Sequence, residues 1–319
     1  MMTRLRQSGT LIGLILIMVF FTVNLPETFL TARNLLNVSQ QISMLAVVAF
    51  SMTVVMVMND FDLSVGSMAS LAGIVAASLF AAGYPVALGL LAGLLTGLLG
   101  GVFNGVLVAL IGILPFVATL GTLTIFSGLA FYISDGRTIF GRDIPQAFSE
   151  LARSGIPLDE IGLVGLKLPA LTIAAVVVLV LVWVILEQTH YGRRLYAIGG
   201  NMEAARLAGV RVRLLRLSAF AITGLGAATA GLMYASRVAS ANPTQGAGLM
   251  LDAIAAVFLG MTMGREGEPR VLATLVGVLI LGVLDNGLTQ MKVDSYIREM
   301  LIGGIVIAAV ASSSLGRKR

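Results

Sequence analysis

Apolar runs of nearly bilayer-crossing length recur ten times along this chain, near residues 10–26, 40–58, 66–83, 86–111, 116–134, 169–188, 215–236, 250–264, 270–290 and 297–314. A helix needs about 20 such residues to span the hydrocarbon layer. Backbone amides inside that layer find no water, so a single apolar run is satisfied there only as a helix. The sequence therefore predicts an all-α polytopic membrane protein of about ten transmembrane helices, forming one domain over 1–319. The third and eighth runs are short or flanked by glycine, and are expected to be broken or partly re-entrant. Composition agrees: only 12% of residues are charged and 57% are hydrophobic, where an ordinary soluble domain carries roughly 25% charged residues. Such a chain lacks the polar surface to cover a globule.

Charge sets the expected orientation. A net charge of +5 in a membrane protein reflects Lys and Arg held in cytoplasmic loops rather than affinity for nucleic acid. Arg4 and Arg6 precede the first run, and no small-x-small cleavage site stands before Pro26-Glu27, so a retained helix is expected there rather than a signal peptide. With the N-terminus inside, ten spans place both ends in the cytoplasm. The segment 189–216 then lies inside with Arg193, Arg194, Arg206, Arg211, Arg213 and Arg216 against the single acid Glu203, as does the tail Arg317-Lys318-Arg319. The segment 135–168 falls outside, with four basic and five acidic residues.

Several chemistries are excluded. There is no cysteine, hence no disulfide, thiolate metal site or cysteine nucleophile. The single histidine, His190, follows Thr189 at the end of an apolar run and is expected at the interface. The chain contains no G-x-x-x-x-G-K-[ST] phosphate loop, no H-E-x-x-H and no G-x-S-x-G. Its intramembrane polar residues form no acid–base or metal set, and no cofactor is implied. Uphill movement of a solute would draw on an ion gradient or on a partner.

A faint internal repeat points to two halves of five helices, about 1–134 and 169–314: Phe103-Asn104-Gly105-Val106 recurs in type as Asp285-Asn286-Gly287-Leu288. Five is odd, so the halves would be inverted in the membrane. Glycines at near-helical spacing, as at Gly89, Gly93, Gly97, Gly100, Gly101 and Gly105, suit close helix packing.

Three stretches carry polar groups where apolar ones would be expected. Asn59-Asp60-Phe61-Asp62-Leu63-Ser64-Val65-Gly66-Ser67 sets two carboxylates between apolar runs. Acids at that depth are costly and are paired or wet, yet capping of the next helix by Ser64 or Asp62 explains the run equally well. The segment from Tyr191 to Val210 is long but not disordered in composition. Asn201 can cap a short helix from Met202 to Ala208, stopped by Gly209. Positive-inside bias explains its arginines but not that capped helix, which looks built for docking. Asn242-Pro243-Thr244-Gln245-Gly246 leads into Leu251-Asp252-Ala253-Ile254-Ala255-Ala256-Val257, where Asp252 is either a helix-dipole partner or a pathway residue.

Together these stretches resemble the ribose-type permease family of bacterial ABC sugar importers. The matching residues are Asp62-Leu63-Ser64-Val65-Gly66-Ser67, the loop from Gly192-Arg193 to Gly209, Pro243-Thr244 with Gly246, Leu251 to Val257, and Asp285-Asn286-Gly287-Leu288. The resemblance implies a ten-helix inner-membrane subunit with the fold of the vitamin B12 importer permease. It also implies three partners: a second permease copy or homologue, a cytoplasmic ATPase and a periplasmic sugar-binding protein. The loop 189–216 would then couple to the ATPase through Arg193, Arg194, Gly199, Gly200, Asn201, Glu203, Ala204, Ala205, Arg206 and Gly209. The segment 135–168 and the turn 237–248 would face the binding protein. Gly264-Arg265-Glu266-Gly267-Glu268-Pro269-Arg270 is more charged than the family's glycine-rich turn.

The function expected is translocation of a monosaccharide or polyol by alternating access, driven by the ATPase. Polar pathway candidates are Asn59, Asp62, Ser64, Asn104, Asp252 and Asn286. A nucleoside or sugar-derived signal is the rival cargo. An ion-coupled transporter with Asp62 or Asp252 as ion site is the rival mechanism.

Overall fold

Breaks in the apolar pattern decide where each helix ends. In the computed structural model, which describes residues 9–263 and 267–315, the helices are α1 Gly9–Asn24, α2 Ala32–Met56, α3 Val65–Ala81, α4 Val86–Val106, α5 Pro115–Ile133, α6 Gln146–Arg153, α7 Ala170–Trp183, α8 His190–Gly200, α9 Met202–Leu207, α10 Val212–Val238, α11 Leu249–Met261, α12 Val271–Gln290 and α13 Ser295–Leu315. Gly83 with positive φ and Pro85 separate α3 from α4. Gly112 with positive φ ends a π turn, Leu107–Ile111, that extends α4, and Pro115 opens α5. Each device suits its place: glycine takes the left-handed conformation without strain, and proline at a first helical turn forfeits no hydrogen bond. The expectations resting on Arg4, Arg6, Gly264-Arg265-Glu266 and the tail 317–319 lie outside the described residues.

All ten apolar runs are helical. Among the described residues, six helices are long and apolar enough to cross a bilayer, and Gly9–Asn24, Val65–Ala81 and Leu249–Met261 are apolar but shorter. The largest departure is at α2, which begins eight residues before the expected 40–58 run. Several polar side chains of its first turns face protein, although Arg33 and Asn37 are exposed. Thr31 caps the helix by accepting from the Asn34 amide, Ser39 Oγ lies 2.9 Å from Thr172 Oγ1, and Gln40 donates to the Ala152 carbonyl. Hydropathy alone misses such turns.

α2 and α10 are the centre of the bundle. From Ser43 to Met58 nearly every α2 residue is buried, against α10, α7, α11 and α12. Polar cross-links punctuate this apolar packing: Thr223 Oγ1 donates to the Ser51 carbonyl at 3.0 Å, and Thr53 Oγ1 lies 3.1 Å from Thr274 Oγ1. The α4 glycines form the expected small-residue stripe. Gly97, Gly101 and Gly105 press onto the α10 backbone at Gly224, Phe220 and Leu217, leaving no room for a Cβ.

The two ends of the bundle differ. One, the arginine end, carries 57–64, 112–114, 189–211, 262–263 and 267–270. At the other, the segment 135–168 is more structured than a loop. Its strand β1 (Ile139–Phe140) pairs antiparallel with β4 (Ser240–Ala241), and β2 (Gly155–Pro157) with β3 (Lys167–Pro169). Between them α6 buries Phe148 against Phe80, ring centroids 4.9 Å apart, and Ser236 Oγ donates to the Phe148 carbonyl. The segment 135–168 and the turn 237–248 therefore form one hairpin end.

Overfilling a packed interface costs about 1–3 kcal/mol, and a backbone neighbour leaves little relief. Gly101→Val is expected to lower the thermal unfolding temperature in detergent and broaden the size-exclusion peak. Gly121→Val, where a Cβ meets open space, is expected to leave both nearly unchanged.

Candidate functional site

Two non-helical segments enter the bundle from opposite ends and meet inside it. From the arginine end, residues 57–64 turn back and rise into α3. From the hairpin end, residues 242–248 descend into α11. Gly66 and Gly246 touch backbone to backbone, with no room for a Cβ on either, and the Gly246 amide donates to Ser70 Oγ at 2.9 Å. The third and eighth runs are thus the two short helices whose starts come together.

The rising segment is organised by Asp62, which is buried at 1% exposure. Its Oδ1 accepts from the Ser64 amide at 2.9 Å and from Ser64 Oγ at 2.6 Å. Ser64 occupies the N-cap position of α3 but its own side chain makes no capping bond, so Asp62 fixes the helix start. Asn104, fully buried on α4, donates from Nδ2 to Ser64 Oγ at 2.8 Å and, at 3.4 Å, to both Asp62 oxygens. Asn104 Oδ1 has no hydrogen-bond partner among the described residues. Asp62, Ser64 and Asn104 therefore form one cluster.

The other pathway candidates lie elsewhere. Asn59 is exposed, takes a left-handed conformation with φ 61°, and donates to the Gly199 carbonyl at 2.7 Å. Asp252 is exposed in the first turn of α11, where a carboxylate favours the helix dipole. Asn286 pairs reciprocally with Asn34: Asn34 Nδ2 donates to Asn286 Oδ1 at 3.0 Å and Asn286 Nδ2 to Asn34 Oδ1 at 3.2 Å. Gln290 adds a third donor at 2.8 Å. Asn104 and Asn286, equivalent in the sequence repeat, thus both hold buried amide contacts, with unrelated partners. In the descending segment, Asn242 Oδ1 accepts from the Thr244 amide and hydroxyl.

The arginine-end loop holds two helices where one was expected. Asn201 caps α9 as anticipated, accepting from the Ala204 amide at 2.9 Å, and Gly209 with φ 83° follows its end. Glu203 and Arg206 face each other at 4.0 Å, both largely exposed, a pairing of little energetic weight. Ala205 is buried, Gly200 and Ala204 are exposed, and Leu207 projects at 81% exposure. The additional helix, α8, is capped by Thr189, whose Oγ1 accepts from the Gly192 amide. It buries Leu195 and Ile198 and leaves Arg193 and Arg194 exposed. Thr189 followed by that i, i+3 apolar pair was the available signal. Tyr191 Oη lies 2.9 Å from Ser218 Oγ. Tyr196 Oη lies 3.1 Å from Glu187 Oε1 and 3.0 Å from the Pro269 carbonyl, two acceptors that share its single proton. Burial, followed by the Glu187 charge, pushes its hydroxyl pKa up, so it stays a donor.

A buried ion pair escaped sequence reasoning. Arg216 Nε donates to Asp60 Oδ2 at 2.8 Å and Nη2 to Oδ1 at 2.9 Å, with 14% and 5% of the side chains exposed. Nothing in the spacing of residues 156 positions apart announces it.

These features define a helical multi-pass membrane protein with broken helices at its centre and a partly unpartnered helical loop at one end. The family model described as "Branched-chain amino acid transport system / permease component" matches residues 34–310, and the chain belongs to that transport permease family. It is 37% identical over 306 residues to the ribose import permease protein RbsC of Bacillus subtilis (strain 168), covering 96% of this chain and 92% of that one. It is 32% identical over 308 residues to the D-allose transport system permease protein AlsC of Escherichia coli (strain K12), covering 96% and 91%. Against the xylose transport system permease protein XylH of the same organism, identity is 32% over 360 aligned positions, covering 96% and 91%. No solved structure matches the chain.

A buried donor left without an acceptor costs about 1–3 kcal/mol. Asp62→Ala is expected to destabilise the protein by that amount in detergent unfolding, because the Ser64 amide and Asn104 Nδ2 lose an acceptor. Asp62→Asn, which keeps one oxygen for the Ser64 amide, is expected to cost less than Asp62→Ala. Equal losses would show that the carboxylate charge, not acceptance, holds the site.

Proposed function

We propose that this chain is the membrane-spanning permease of an ATP-driven importer for a monosaccharide, working by alternating access. The observation that carries the reading is near full-length similarity to permeases named for ribose, allose and xylose. The proposed architecture is ten spanning helices in a single domain. Two inverted halves, about 1–134 and 169–314, give a fold like that of the vitamin B12 importer permease, and both termini are cytoplasmic. The repeat supports inversion: α3 and α11, third in their halves, are the two short helices that meet at Gly66 and Gly246. The arginines of 189–216 support a cytoplasmic arginine end.

In this scheme α9 is the coupling helix. Its exposed Glu203, Arg206 and Leu207 offer the ATPase a mixed charged and apolar contact. The flanking Arg193, Arg194, Gly199, Gly200, Asn201, Ala204, Ala205 and Gly209 shape and orient it. The hairpin end receives the sugar-binding protein. A second permease copy or homologue completes the path. Asp62, Ser64 and Asn104 act there by holding the start of α3, and Asn59 works at its cytoplasmic mouth. Asn286 steadies α12. Asp252 is exposed on a single chain, as a group lining a route between two copies would be.

The test is reconstitution with the cognate ATPase and binding protein, measuring ATP-driven uptake of ribose, allose, xylose and a nucleoside in proteoliposomes. ATP-dependent accumulation of one of the sugars is expected. Accumulation of the nucleoside alone would replace the cargo, and uptake driven by an ion gradient without ATP would replace the mechanism. The double variant Glu203→Ala, Arg206→Ala is expected to lose about tenfold in uptake, equivalent to about 1.4 kcal/mol, together with ATPase binding. Near-normal values would remove α9 from the coupling role.

A further inference from the structure

The contacts of α8 reach further than docking requires. Tyr196 and Gly199 lie three residues apart, hence on one helical face. That face touches the linker that leads into α3 and a residue that precedes the start of α12. Gly199 packs against the backbone of Val57 with no room for a Cβ, and its carbonyl accepts from Asn59. Tyr196 donates to the Pro269 carbonyl. The linker runs on through Asp60 and Asp62 to the start of α3, and Pro269 lies two residues before α12. α12 packs along α11, and the turn that precedes α11 meets α3 at Gly246 and Gly66.

The chain of contacts is short of slack. Asn201 ends α8 by donating its amide to the Ala197 carbonyl, and starts α9 by accepting from the Ala204 amide. One residue therefore serves both helices, and displacement of α9 is delivered to α8. Asp60, gripped bidentately by Arg216, ties the linker to α10 and gives the movement a fulcrum.

We propose that α8 is a transmission clamp: Asn59, Asp60, Tyr196 and Arg216 are positioning residues that convert movement of α9 into movement of α3 and α12 together. This rests on the proposed coupling of α9 to an ATPase. Asn59 bonds only the Gly199 carbonyl and Tyr196 offers one hydroxyl proton, shared between the Pro269 carbonyl and Glu187, so their loss relaxes transmission rather than the fold.

The test uses the reconstituted complex with ATPase and binding protein, and the variants Asn59→Gly, which keeps the left-handed backbone, and Tyr196→Phe, singly and together. The expected result for the pair is at least about a fivefold fall in sugar transported per ATP hydrolysed. Binding-protein-stimulated ATPase activity should stay within about twofold of the parent, with an unchanged unfolding temperature. An unchanged ratio overturns the clamp. So does a shift only in the sugar concentration giving half-maximal uptake, which would confine Asn59 to its place at the mouth of the path. If the pair fails to assemble, Tyr196→Phe alone is read by the same criteria. A parent complex without ATP-driven uptake would instead overturn the functional reading, and the clamp with it.

Discussion

Backbone amides have no water to bond inside a bilayer, and the architecture of this protein follows from that constraint. Helices satisfy their own amides, which is why all ten apolar runs become helical. The two interruptions need other acceptors, and each has one: Asp62 takes the Ser64 amide and Ser70 takes the Gly246 amide. Irregular backbone is tolerated in a membrane protein only where protein or a wet cavity covers it, and both segments here are covered by α3, α4 and α10 or by each other. The costliest part of the structure is also where a translocator needs its moving parts.

Packing around the breaks divides labour by residue size. Glycines along α4 bring its backbone against α10, and close approach is the main source of helix affinity where lipid is as apolar as the interface. Polar pairs such as Thr223 with Ser51 set azimuth and height. The Asp60–Arg216 pair anchors the linker at the arginine end. Removing one partner of a buried pair strands the other, a loss of about 3–5 kcal/mol, so the pair holds position even where its net stabilisation is small.

The helices, the two interruptions and the Asn201 cap were legible because each is written in contiguous residues. An apolar run, a glycine–proline break and a cap followed by a helix all declare themselves locally. The early start of α2 was hidden because Ser39 and Gln40 are polar for the sake of α7 and the hairpin end, and hydropathy treats protein-facing polarity as solvent exposure. Asp60 reads as an exposed linker acid until Arg216 is placed beside it. The elements of 135–168 were hidden for a similar reason: two-residue strands such as β1 gain their pairing only from β4, about a hundred positions away. Of the pathway candidates, Asp62, Ser64 and Asn104 converge because local capping and a helix repeat both pointed there. Asn59 was grouped with them by sequence proximity, although its side chain turns to Gly199.

The amide ladder of Asn34, Asn286 and Gln290 constrains how this bundle can rearrange. Sliding α2 along α12 by one turn, about 5.4 Å, would break the reciprocal pair and leave amide groups without partners among apolar neighbours. A rotation that carries both helices as one body leaves the ladder intact. Sliding of one helix along the other therefore costs more than rotation of the two as one body.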